Sequence, residues 1–96
     1  MNADQLKDRT KKFGLQVIRL VDGLPSTKTA QVIGNQLLRS GTSVGANYRS
    51  ACRARSRPDF ISKAGIAIEE ADESLYWMEA PLDAGISTAH PVGDLR

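Results

Sequence analysis

Apolar residues return at helical spacing in three successive stretches of the chain. In the first, from about 4 to 24, Leu6, Phe13, Val17, Leu20 and Leu24 stand three, four or seven apart, and Ile18 and Val21 widen the stripe. Lys7, Lys11, Lys12 and Arg19 fall mostly off it. That separation predicts an amphipathic helix, stopped by Gly23 and Pro25. In the second, from about 27 to 55, Ser26 or Thr27 supplies the cap, and Ala30, Ile33, Leu37, Val44 and Ala51 carry the stripe. Glycine in a helix costs roughly 1 kcal/mol relative to alanine, and Gly34, Gly41 and Gly45 all fall here. A loop over 40–46 is the rival reading. The apolar phase holds across the glycines from Leu37 to Val44 to Ala51, however, and a loop would be expected to reset it. One long helix is predicted, bent near Gly41.

Ser56-Arg57-Pro58-Asp59 is the next break. Proline suits the first turn of a helix, with Ser56 or Arg57 as the cap and Asp59 complementing the dipole. A third helix follows over about 58–80, built on Phe60, Ala64, Ala67, Ala71, Leu75 and Met78 and expected to stop near Pro81. Connections this short make neighbouring helices antiparallel, so the fold class is all-α, an up-down bundle. Residues 1–80 form its one domain, and 81–96 an irregular tail in which Ser87 or Thr88 could start a further helix. If the second and third helices fold back around Ser56-Arg57, residues whose numbers sum to about 113 share a level. Gly41 and Gly45 then face Ala64, Ala67 and Ala71, small against small, and Arg39 meets Glu73 or Ser74.

Ninety-six residues leave room for one core, and 41% hydrophobic content argues against disorder. The formal charge of +2 is uninformative, but its placement is not. From Arg39 to Lys63 six basic residues face one acid, and from Glu69 to Asp83 six acids face no base. Such blocks pair internally, pair between subunits, or meet a partner. Cys52 is the only cysteine, no secretory leader is evident at the N-terminus, and no apolar run approaches the ~20 residues that span a bilayer. A cytoplasmic protein without a membrane partner is expected.

Several chemistries can be weighed on these residues. GTSVGAN is not a nucleotide loop, because a Walker loop needs Lys and Ser/Thr after its last glycine and a strand before its first. Glu69, Glu70, Asp72 and Glu73 read as a solvated or salt-bridged face, not a metal site, since the only histidine, His90, lies in the tail. Cys52 has no histidine placed to activate it and reads as a small buried thiol. Tyr48, Tyr76 and Trp77 could stack bases, but aromatics at helical spacing usually pack. No catalytic residues and no cofactor are expected. The strongest candidate is the run Arg49, Arg53, Arg55 and Arg57, joined by Lys63 from the next helix, which together could track phosphates.

The stretch LLRSGTSVGANYRSACRARSRPDFISKAGIAIEEADESLYWMEA, with FGLQVIRLVDGLP before it, resembles the four-helix-bundle family named for 23S rRNA intervening sequences. GTSVGANYR and EADESLYW are the runs that carry the likeness. The resemblance implies a four-helix up-down bundle assembling as a homopentamer. It also extends to the accessory variability protein of diversity-generating retroelements, which implies RNA or DNA and a reverse transcriptase as partners. Where members read YWLELL this chain has YWMEAP, and it stops where their fourth helix would begin, so that helix is expected to be missing or truncated. The functional expectation is an oligomeric, non-enzymatic protein that binds nucleic acid electrostatically. The alternative is a structural or protein-interaction module that binds none.

Overall fold

The computed structural model describes residues 2–83, and in them three helices and no strand: α1 (Ala3–Asp22), α2 (Lys28–Cys52) and α3 (Arg57–Asp83). Each begins at a cap that the side chains dictate. Asn2 and Gln5 form a reciprocal capping box at α1, with bonds of 2.8 and 3.0 Å. At α2 the cap is Thr27, whose hydroxyl accepts the Ala30 N–H at 3.1 Å. Ser56 does the same for Asp59 N–H at α3, at 3.2 Å, so of the two residues expected at each of these breaks it is Thr27 and Ser56 that cap.

The helix ends depart from expectation by a few residues, with local causes. Gly23 closes α1 in a right-handed conformation (φ −86°), its N–H bonding to the Arg19 and Leu20 carbonyls. The second helix stops at Cys52, not near 55. There the Arg53 and Ala54 N–H groups each reach back three residues, to Ser50 and Ala51, tightening the final turn. Arg55 therefore sits in the connection and not on α2. The third helix does not stop at Pro81, which lies inside it and is buried. Proline removes one N–H donor from the ladder. The expected tail beyond 83, His90 included, lies outside the described residues.

No loop interrupts α2 at 40–46. Its buried residues Ala30, Gly34, Leu37, Gly41, Val44 and Ala51 keep one phase along its length, and Ser40 is buried beside them. α2 packs against both other helices. The core joins all three through Val17, Leu37 and Met78, with Phe13, Leu20, Val21 and Trp77 against them. Toward α3, Ser74 Oγ lies 3.1 Å from Ser40 Oγ and 2.8 Å from the Glu70 carbonyl, so its hydroxyl donates to one or the other. Arg39 pairs with Glu70 at 3.0 Å and with Glu73. The Ser40–Ser74 and Arg39–Glu73 levels match the register expected for this hairpin.

The glycines face the other way. A Cβ on Gly41 would lie 2.7 Å from Val17 Cγ2, one on Gly45 would lie 3.2 Å from the Thr10 carbonyl oxygen, and one on Gly34 would lie 3.2 Å from Leu24 Cδ1. Gly41 and Gly45 thus seat α1, and the expectation that they oppose the alanines of α3 is corrected. The cause is helical phase: Gly34, Gly41 and Gly45 share one edge of α2, while Ser40 turns toward α3. On α1 the small partner is Gly14, a position from which an added Cβ would lie 3.6 Å from Thr42 Cα. Ala67 is buried in the single chain, and Ala64 and Ala71 are half-buried. Ile61, Ile68 and Leu75, seven apart on α3, are 60%, 64% and 39% exposed, an apolar stripe that the described chain does not cover.

Candidate nucleic-acid interface

The α2–α3 connection gathers the arginine run at one end of the molecule. Arg49 is exposed in the last turn of α2, Arg53 is its exposed C-cap, Arg55 is exposed in the connection, and Arg57 is exposed at the first position of α3. None of the four makes an ion pair among the described residues. Two are favoured where they stand, because cations at a helix C-terminus complement its dipole. Lys63 differs from them. It is half-buried and held by Asp59 one turn earlier at 3.2 Å, so part of its charge is already met.

Arg49 also lines a groove of about 470 Å³ between α1 and α2. Across it stand Lys7 and Lys11, one turn apart on α1, which the periodicity of the sequence leaves simply off the apolar stripe. Gly14 and Gly45 are among the residues lining it, and Leu15 and Ile18 supply apolar wall. The signal that could have found Lys7 and Lys11 is the glycine edge of α2. Where it seats α1, it also fixes which α1 side chains flank Arg49.

The acidic block is divided. Glu70 and Glu73 are engaged by Arg39, and Glu73 also accepts the Trp77 indole N–H at 3.1 Å. Glu69 and Asp72 are exposed. Among the described residues no three His, Cys, Asp or Glu side chains are placed to hold a metal ion. The aromatics divide as well, Trp77 packing on the core and Tyr76 standing 61% exposed, edge-on to it at 5.0 Å. Tyr48 is half-buried. Burial, then a hydrogen bond and charge repulsion from Cys52 one turn on, raise its phenol above the ordinary 10.0, so it stays neutral at physiological pH. Cys52 is a free, half-buried thiol, less enclosed than expected. No described helix is long and apolar enough to cross a membrane.

The comparison with curated proteins finds no match. Among solved structures four chains match. One is the crystal structure of a protein of unknown function from the S23 ribosomal protein family of Bacteroides thetaiotaomicron, with a TM-score of 0.89 and 37% identity over 99% of this chain and 85% of that one. The model of the 23S rRNA-intervening sequence protein family matches residues 4–95, spanning all three helices, the glycine edge and the arginine run alike. This chain belongs to that family.

Proposed function

We propose that the chain is a non-enzymatic helical-bundle protein of the up-down type whose arginine end meets the phosphates of RNA or DNA. The observation that carries this reading is that Arg49, Arg53, Arg55 and Arg57 are all exposed and without an ion pair among the described residues. Had the acidic block been their internal partner, those pairs would be on α3. Arg39 takes that place instead. The mechanism is counterion release with little base reading. Four phosphate contacts on a single strand give a slope of about −2.8 in log affinity against log salt, or roughly a 50-fold loss between 50 and 200 mM salt.

Fluorescence anisotropy with a labelled 20-nucleotide RNA across that salt range tests it. The Arg49→Glu/Arg53→Glu/Arg55→Glu variant is expected to lose binding, and retained binding would sink the assignment. A second reading, a protein-interaction module, is favoured by the exposed Ile61, Ile68 and Leu75 stripe. By family resemblance this face would meet a fourth helix or neighbouring copies in a homopentamer. Light scattering at low and high salt, with and without RNA, separates the two. RNA-dependent mass supports the first reading, and salt-labile mass indifferent to RNA supports the second.

A further inference from the structure

The groove between α1 and α2 runs beside the glycine seat, with Gly14 and Gly45 in its lining, and is not a simple continuation of the arginine end. Its cations come from two helices. Lys7 and Lys11 stand on one side and Arg49 on the other. Lys11 and Arg49 make no ion pair among the described residues. Lys7 has only an exposed pair with Asp4 at 3.4 Å. The one acid in the lining, Asp8, is already met by Lys12 at 2.8 Å, so the field inside the groove is positive. Gly14, Gly45 and Ala46 add little side-chain bulk to the lining, and Leu15 and Ile18 offer apolar surface but no aromatic ring.

We propose that this groove holds one single-stranded sugar–phosphate chain, with Lys7 and Lys11 as phosphate-binding residues additional to the arginine end. The inference rests on the nucleic-acid reading above and extends it. A groove of about 470 Å³ with Leu15 and Ile18 in its wall suits one backbone whose bases turn onto apolar surface, an arrangement closed to a duplex, whose bases are paired inward. Phosphates lie between Lys7, Lys11 and Arg49, and bases rest on Leu15 and Ile18 without hydrogen-bond readout. The site therefore selects strandedness and is indifferent to base sequence. A duplex reaches the arginine end alone.

The test compares the wild type with Lys7→Gln/Lys11→Gln, using a labelled 20-nucleotide oligouridine and a labelled 20-base-pair RNA duplex between 50 and 200 mM salt. Circular dichroism melting confirms that the variant is folded, which is expected because both changes are at solvent-accessible positions. Removing two single-strand contacts flattens the salt slope for oligouridine by about 1.4 and leaves the duplex slope unchanged. If the wild type binds neither RNA, the nucleic-acid reading itself fails. If the wild type binds and the variant has the same oligouridine slope, the groove is not on the strand's path and this inference alone falls. An equal loss for both RNAs would show the lysines acting only as a general positive field, and a change in the variant's oligomeric mass would show the groove to be a contact between copies. Each of those two outcomes overturns the proposal.

Discussion

Substituting Gly41 by alanine should destabilise the protein, although alanine is the better helix former. The added Cβ would stand 2.7 and 2.8 Å from the two Val17 methyls and 3.1 Å from Val17 Cβ, where carbon atoms prefer about 3.5–4.0 Å. Val17 is 0% exposed, and a β-branched residue in a helix is held largely to one rotamer. The methyls cannot swing away, so α1 and α2 must separate. Overpacking of this kind costs about 1–3 kcal/mol, and with two methyls in the way the upper end applies. Alanine's helix preference returns about 1 kcal/mol, leaving a net loss of about 2 kcal/mol.

Gly65 supplies the control, since a Cβ there meets nothing within 4 Å. Gly65→Ala should gain about 1 kcal/mol. Because both substitutions share the backbone gain, their difference isolates the clash at about 3 kcal/mol. Urea unfolding followed by far-ultraviolet circular dichroism measures each, with m-values compared to check that the unfolded states match. In a Val17→Ala background the two methyls are gone and only the 3.1 Å approach to the Cβ of residue 17 remains, so Gly41→Ala should destabilise far less, a coupling of roughly 2 kcal/mol in the cycle. Gly41→Ala as stabilising as Gly65→Ala, or a coupling near zero, would refute the close approach of the two helices.

Other expectations are smaller. Thr27→Ala removes the acceptor of the Ala30 N–H and should cost about 1 kcal/mol in urea unfolding, while Thr27→Ser should be nearly neutral. Arg39→Ala breaks the pairs with Glu70 and Glu73. The arginine side chain is half exposed, so the loss should stay near 1 kcal/mol at low salt and shrink in thermal melts at 1 M NaCl. Ser40→Ala/Ser74→Ala removes both members of a buried hydroxyl pair and leaves no orphaned partner. Its unfolding free energy should lie within about 1 kcal/mol of wild type.

The apolar phase through Leu37, Val44 and Ala51 was enough to read α2 as continuous, because all three positions are buried in one stripe. The tight turn at 54–56 made the α2–α3 levels legible too, since a short hairpin fixes register by counting outward from its middle. The same counting from the connection at 23–27 would pair numbers summing to about 50. Gly14 instead meets Gly41 and Thr42, and Gly45 meets Thr10. On that side register is set by where small residues permit approach, which periodicity does not encode. For the same reason the arginine run could be read directly from the sequence, as neighbours in the chain. The approach of Lys7 and Lys11 to Arg49 could not, because it depends on the α1–α2 register. Lys63 differs from the arginines because Asp59, one turn earlier on its own helix, already meets part of its charge.

The central helix is the one least able to stand alone. Gly34, Gly41 and Gly45 together cost an isolated α2 peptide roughly 3 kcal/mol of helicity relative to alanine, and only docking against α1 repays it. A severed α2 peptide should therefore be unstructured in water. In the intact chain its amides should exchange with solvent only when the whole bundle opens, together with those that pack on them in α1. The glycine edge thus gives up local stability for cooperativity: the middle of the molecule has no partly unfolded form in which α2 persists without its neighbours.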